Sequence, residues 1–155
     1  MRRYLLFVLA FFGVVALAGW SPAAAADDRC APTEPDSLGP FYKPDAPLRA
    51  SVGKGYLLTG RVVSAADCTP VPEAGIEIWL ANPEGVYDDA HRATVVSDSS
   101  GTYRIESNPP PDYHFRPPHI HMRVTAEGFK TLVTQHYPQE KSSGAEFDLV
   151  LIPEE

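Results

Sequence analysis

At 155 residues the chain is long enough for one domain with a modest core, and it shows no sign of a second. Its formal net charge is −7, from 13 Lys and Arg against 20 Asp and Glu, and there is no basic cluster, which argues against nucleic acid as a partner. Sixteen prolines and the lack of any amphipathic helical period exclude a helical bundle.

The first 26 residues read as a secretory signal peptide. Arg2-Arg3 form the positive start, Tyr4 to Ala18 an apolar run, and Ser21 to Ala26 a small-residue stretch, with cleavage expected after Ala26. The run falls short of the ~20 residues a spanning helix needs, so no stable membrane anchor is expected after cleavage. The mature protein is therefore expected in the periplasm or secreted. Arg2-Arg3 also raises a twin-arginine route, but they sit directly on the initiator Met, so the general secretory route is preferred. Residues 27–50 are expected to form an extended N-terminal arm, since Ala31 to Arg49 is rich in Pro and Asp and has no periodicity.

Residues 51–155 carry short alternating runs: Tyr56–Val63, Ile76–Asn82, Thr94–Asp98, Gly101–Glu106, His119–Ala126, Lys130–Gln135 and Glu146–Ile152. About seven short strands broken by Gly and Pro turns predict an all-β fold, an antiparallel sandwich of immunoglobulin-like or transthyretin-like topology. Trp79, Tyr103 and Phe147 are assigned to its core. Cys30 and Cys68 read as a disulfide in an exported protein, tying the arm to the turn after the first strand; two unpaired thiols stay open as the alternative.

One stretch carries chemistry. Asp112 to Met122 reads Tyr-x-x-Arg-x-x-His-x-His and enters a strand. Side chains alternate faces on a strand, so His119 and His121 point the same way while Ile120 and Met122 face the core. Two same-face imidazoles one pleat apart can reach a single metal ion. Pro109, Pro110, Pro111, Pro117 and Pro118 stiffen the loop that presents Tyr113 and Arg116. Upstream, the strand from Ile76 ends at Asn82-Pro83, turns at Gly85 and presents Tyr87.

These residues together resemble the intradiol ring-cleavage dioxygenases, the catechol and protocatechuate dioxygenase family. The resemblance rests on Glu77, Trp79, Ala81, Asn82, Gly85, Tyr87, Tyr113, Arg116, Pro117, His119, Ile120 and His121, supported by Gly39-Pro40-Phe41-Tyr42 and Thr134-Gln135. It covers roughly Leu38 to Tyr137 and implies the same sandwich. It implies Fe(III) held by Tyr87, Tyr113, His119 and His121, with Arg116 and Gln135 steadying charge on the reacting ring. The donor set suits that ion: phenols ionise only on a strong Lewis acid, and two phenolates offset much of the ferric charge. The implied substrates are a catecholic ring and O2, and the implied product a cis,cis-muconate. Tyr113 maps to the phenolate that leaves the metal and acts as a base. The helical dimerisation segment of the catechol branch has no counterpart here, and a homo-oligomer stays open. The segment from Tyr87 to Asp98 and the loop from Tyr113 to His119 are short, so a shallow, open site is expected.

Taken singly, each residue has a plainer reading. Tyr87 would be a strand-end aromatic packed on Trp79, Arg116 a surface cation paired with Asp112, and Gln135 uninformative. His91, His114 and His136 read as loop or strand-end residues, the last two adjoining the motifs. The alternatives in function are a non-catalytic, transthyretin-like periplasmic binding module and a copper or zinc site on His119 and His121 alone.

Overall fold

The computed structural model describes residues 30–155, so the expected signal peptide lies outside the described residues. Two four-stranded sheets pack face to face. The strands are β1 (Tyr56–Ser64), β2 (Gly75–Ala81), β3 (Tyr87–Val96), β4 (Thr102–Ser107), β5 (Ile120–Thr125), β6 (Leu132–His136), β7 (Gly144–Glu146) and β8 (Leu149–Leu151). One sheet runs β4-β1-β7 with β8 also on β1, and the other runs β3-β2-β5-β6. Among the described residues there is no helix longer than a single turn.

Alternation explains the strands. Tyr56, Leu58 and Val62 of β1 point inward with Tyr103 and Ile105 of β4, and they meet Ile76, Ile78 and Leu80 of β2 and Ile120, Met122 and Val124 of β5. Each of these is essentially inaccessible to water. Burying one such side chain contributes about 1.5–3 kcal/mol. His136 also points inward, where Tyr56 Oη lies 2.7 Å from its Nε2, a polar link between the sheets.

Two elements differ from the sequence expectation. The single run Glu146–Ile152 is split at Phe147-Asp148 into β7 and β8, and both lie parallel to β1, whereas the other strand pairs are antiparallel. The break follows from Gly60. Its missing side chain admits the Phe147 carbonyl, to which a Cβ at Gly60 would come within 2.1 Å, and Tyr103 Oη donates to that same carbonyl at 2.5 Å. The second difference is β3, which begins at Tyr87 rather than Thr94. Its first half, Asp88 to Arg92, is too polar for alternation to show. It is held by an irregular ladder in which Ala81 pairs with Tyr87 and Trp79 with Arg92. This bulge turns Tyr87 onto the outer face of the sheet.

The arm is a strap. Asp36 N donates to Val133 O at 2.9 Å on β6, and Thr94 N of β3 donates to Pro47 O at 2.9 Å. β6 and β3 are the two edges of one sheet, so residues 36–47 cross its whole outer face. The Cys30–Cys68 disulfide, with Cα atoms 5.5 Å apart, pins the strap's beginning to the turn after β1. Cross-linking across 38 residues stabilises by about 3–4 kcal/mol in the chain-entropy account. Reduction, or Cys30→Ser with Cys68→Ser, is expected to lower stability by about that amount in urea melts of the purified protein. Coincident melts with and without reductant would show that the tether contributes nothing.

Candidate functional site

The outer face of the β3-β2-β5-β6 sheet, under the strap, gathers the polar motif. His121 pairs with Trp79 on one side and Gln135 on the other, placing the three in one cross-strand row. Trp79 is buried, as expected, but on this face and outside the inter-sheet core. Its indole stacks on His121 with centroids 4.9 Å apart and planes within 2°. Tyr103 and the half-buried Phe147 do pack with the core.

His119 stands one residue before β5, and its ring meets that of His121 at 4.8 Å, nearly edge-on. Its Nδ1 donates to Pro117 O at 2.8 Å, so the proton sits there and the Nε2 lone pair is free. Tyr87 Oη lies 3.1 Å from that Nε2. Tyr87 therefore does not pack on Trp79. It contacts His121, meets the Tyr113 ring edge-on at 5.2 Å, and is stacked by Phe41 of the strap at 4.4 Å. Gly39 lies flat against His121, and a Cβ there would sit 2.9 Å from the ring. Its φ of +70° is a second reason for glycine at that point.

A two-residue turn presents the other motif residues. Tyr113 and Arg116 bond each other's backbones at 3.2 and 2.9 Å, and His114 takes a φ of +54° between them. Arg116 does not pair with Asp112. Its Nη2 donates to Gln135 Oε1 at 2.9 Å and to Tyr137 Oη at 2.8 Å. Phe115, at the tip of the turn, is fully exposed, as is much of His114, which contacts only Tyr113 among the site residues. His91 binds Asp88, whose other carboxylate oxygen accepts from Asn82 Nδ2 at 2.9 Å.

The electrostatics favour neutral imidazoles. Burial pushes His121 down to about 4, helped by His119 and Arg116, and burial also lowers His119. Burial, with Tyr113 beside it, raises the Tyr87 phenol to about 12, against the pull of Arg116. His121 Nδ1 is buried without a hydrogen-bond partner, while the Ser37 backbone pulls the imidazole's pKa upward against burial. Two neutral imidazoles, one with its lone pair fixed towards a phenol, and a second phenol beside the first form a nitrogen–oxygen donor set that fits a hard, highly charged ion such as Fe(III). Among the described residues no three His, Cys, Asp or Glu side chains converge, so a metal held here takes its charge balance from phenolate. A cavity of about 120 Å³ lies beside Tyr87, walled by Phe41, Tyr42, Trp79 and Arg92.

Several residues at the site escaped the sequence reading. Trp79 is assigned to the core by the sequence, although Ile76, Ile78 and Leu80 take the inner face and alternation puts Trp79 on the outer one. Tyr137 lies two residues after Gln135 on the same side, a spacing that carried a signal once Gln135 was chosen. Asp36 and Ser37 gave none, because the strap's path over the sheet is a tertiary fact.

The dioxygenase family profile matches residues 43–149. A hydroxyquinol 1,2-dioxygenase of Rhizobium sp. (strain MTP-10005) is 35% identical over 137 residues, covering 66% of this chain and 46% of that protein. A chlorocatechol 1,2-dioxygenase of Cupriavidus pinatubonensis (strain JMP 134 / LMG 1197) is 29% identical over 132 residues, covering 64% of this chain and 52% of that one. The chain thus spans about half the length of the curated relatives it matches. Among solved structures, the dioxygenase domain of a dioxygenase carbohydrate-binding protein fusion from Streptomyces sp. SirexAA-E superposes with a TM-score of 0.70 at 25% identity, over 79% of this chain and 97% of that one.

The buried histidines make stability depend on pH. Burial holds His121 and His136 at about 4, below the ~6.5 of an unfolded chain, so the unfolded state binds more protons in between. Stability is then complete above pH 6.5 and falls as pH drops towards 4, by up to about 1.4 kcal/mol per unit for each group. Thermal melts of chelator-treated protein at pH 7, 6 and 5 are expected to show this fall, and His136→Gln to reduce it. A melting temperature flat across that range would contradict the burial of neutral imidazoles.

Proposed function

The chain belongs to the intradiol ring-cleavage dioxygenase family, and from that membership we propose that it opens catecholic rings with O2 at an Fe(III) held by Tyr87, Tyr113, His119 and His121. The observation that carries the reading is the Tyr87–His119 contact of 3.1 Å, with the opposite nitrogen of His119 tied to Pro117. It brings a phenol to an imidazole whose free lone pair can bind metal. Ferric iron held there would supply the Lewis acidity under which the phenols ionise and a catechol ring becomes reactive towards O2.

The chain's own residues do the rest. His119 and His121 bind as neutral donors because burial keeps protons off them. Tyr87, stacked by Phe41 and wedged against His121, is the phenol held in place. Tyr113 is only half-buried and sits at the tight turn, so it is the phenol with room to move and would take up a proton from an incoming diol. Arg116 and the buried Gln135 sit together beside the histidines, where the guanidinium offsets negative charge developing on the ring oxygens. The product is a muconate-type dicarboxylate.

We further propose that the protein acts outside the cytoplasm. Its apolar leader and the Cys30–Cys68 disulfide support that location, since such bonds persist in oxidising compartments.

The test is a visible spectrum of the protein loaded with ferric iron, before and after anaerobic addition of catechol. A charge-transfer band from phenolate is expected, moving to longer wavelength as catechol binds. Oxygen uptake should then follow. Tyr87→Phe is expected to shift the band and lower kcat by 100-fold or more, on the order found for losing a group that stabilises reacting charge. A protein that takes up no iron would leave the non-catalytic binding module as the reading.

A further inference from the structure

Asp36 is not among the residues proposed to hold iron, and it comes from the strap rather than the sheet. Its carboxylate is nevertheless a junction of the site. Oδ2 accepts from Tyr137 Oη at 2.8 Å, and Oδ1 accepts from Ser37 N at 2.6 Å and from Gln135 Nε2 at 3.4 Å. Its own backbone N–H is fixed to Val133 on β6. Desolvation opposes its charge, but the Ser37 amide, the Tyr137 hydroxyl and Arg116 hold its carboxyl below the usual range.

Donor and acceptor accounting shows what this junction does. Arginine has no acceptor, so Tyr137 Oη must accept the Arg116 proton at 2.8 Å. The one proton of Tyr137 is then directed elsewhere, and of its two acceptors the Asp36 carboxylate at 2.8 Å is stronger than the Gln135 amide oxygen at 3.1 Å. Gln135 is oriented in the same way. Ser37 O at 2.7 Å, Ser37 Oγ at 3.1 Å and Asp36 draw its NH2 towards the strap, which turns Oε1 to Arg116. A flipped amide would set its NH2 against the guanidinium. Among the described residues Arg116 has no direct ion pair, so Asp36 is the anion that balances it, one hydroxyl away.

We propose that Asp36 is a positioning residue: acting through Tyr137 and Gln135, it fixes the Arg116 guanidinium beside the histidines, so that the strap completes the polar wall against which the substrate reacts. The kinetic consequence rests on the dioxygenase reading; the geometry does not.

The experiment uses the mature protein carrying Asp36→Asn, Tyr137→Phe or Arg116→Gln, and the Asp36→Asn/Arg116→Gln pair. In metal-free protein, rotation about the Arg116 Nε–Cζ bond is followed by 15N NMR. It is expected to be slow in the parent and about tenfold faster in Asp36→Asn and in Tyr137→Phe, as the bonds on Nη2 loosen. In ferric protein both single variants are expected to keep full iron content and the parent's visible band. Their kcat for catechol should fall about tenfold, with KM within about twofold. Added to Arg116→Gln, the Asp36→Asn change should cost nothing more, because it acts only through Arg116. Unchanged guanidinium rotation in both single variants overturns the proposal. So does an equal kcat loss in the Arg116→Gln background. A parent that fails to oxidise catechol would defeat the dioxygenase reading, and the NMR result would still decide the role of Asp36.

Discussion

Two imidazoles are buried on the outer face of a sheet, and the rest of the site depends on how that burial is achieved. A sandwich shields its inner faces by stacking them; its outer faces meet water unless something covers them. Here the cover is the strap, which crosses from the β6 edge at Asp36 to the β3 edge at Pro47. Under it, His119 and His121 are as inaccessible as core residues, at 3% and 2% exposure. Desolvation keeps them neutral, and only a neutral imidazole is a ligand.

The strap is short of regular structure yet well fastened. Backbone bonds hold both of its sheet crossings, and the disulfide fixes its start. Between these points its residues lie on the site in sequence order: Ser37 on Gln135, Gly39 on His121, Phe41 on Tyr87 and Tyr42 on Trp79. Tyr42 also donates to Glu77, which accepts from Arg123, so the strap is tied to β2 and β5 as well. The same segment thus supplies stability and the site's roof. That coupling gives the disulfide a bearing on the site, although it lies away from the motif.

The site divides into a rigid and a yielding half. Tyr87 and the histidines sit on or beside strands and are packed by aromatic rings on several sides. Tyr113 and Arg116 sit on a two-residue turn whose tip, Phe115, is in water. The bulge that turns Tyr87 outward is what places one phenol in each half.

The sequence by itself determined most of the strands and the placing of His119 and His121 on one face, while the association of Tyr87, Tyr113 and Arg116 with them came from the likeness of the motifs to the dioxygenase family. The strands and the histidine pair follow from period-2 alternation, which is local. It did not determine that Glu146–Ile152 breaks at Phe147, because Gly60 and Tyr103, which cause the break, lie far away in the chain. It left the first half of β3 invisible, since that half is paired without alternating. It gave no place to Asp36 or Ser37, whose contacts with Gln135 span 99 and 98 residues. A polar residue in an extended arm carries no period. What it touches is set by where the strap is fastened, and only the tertiary structure fastens it.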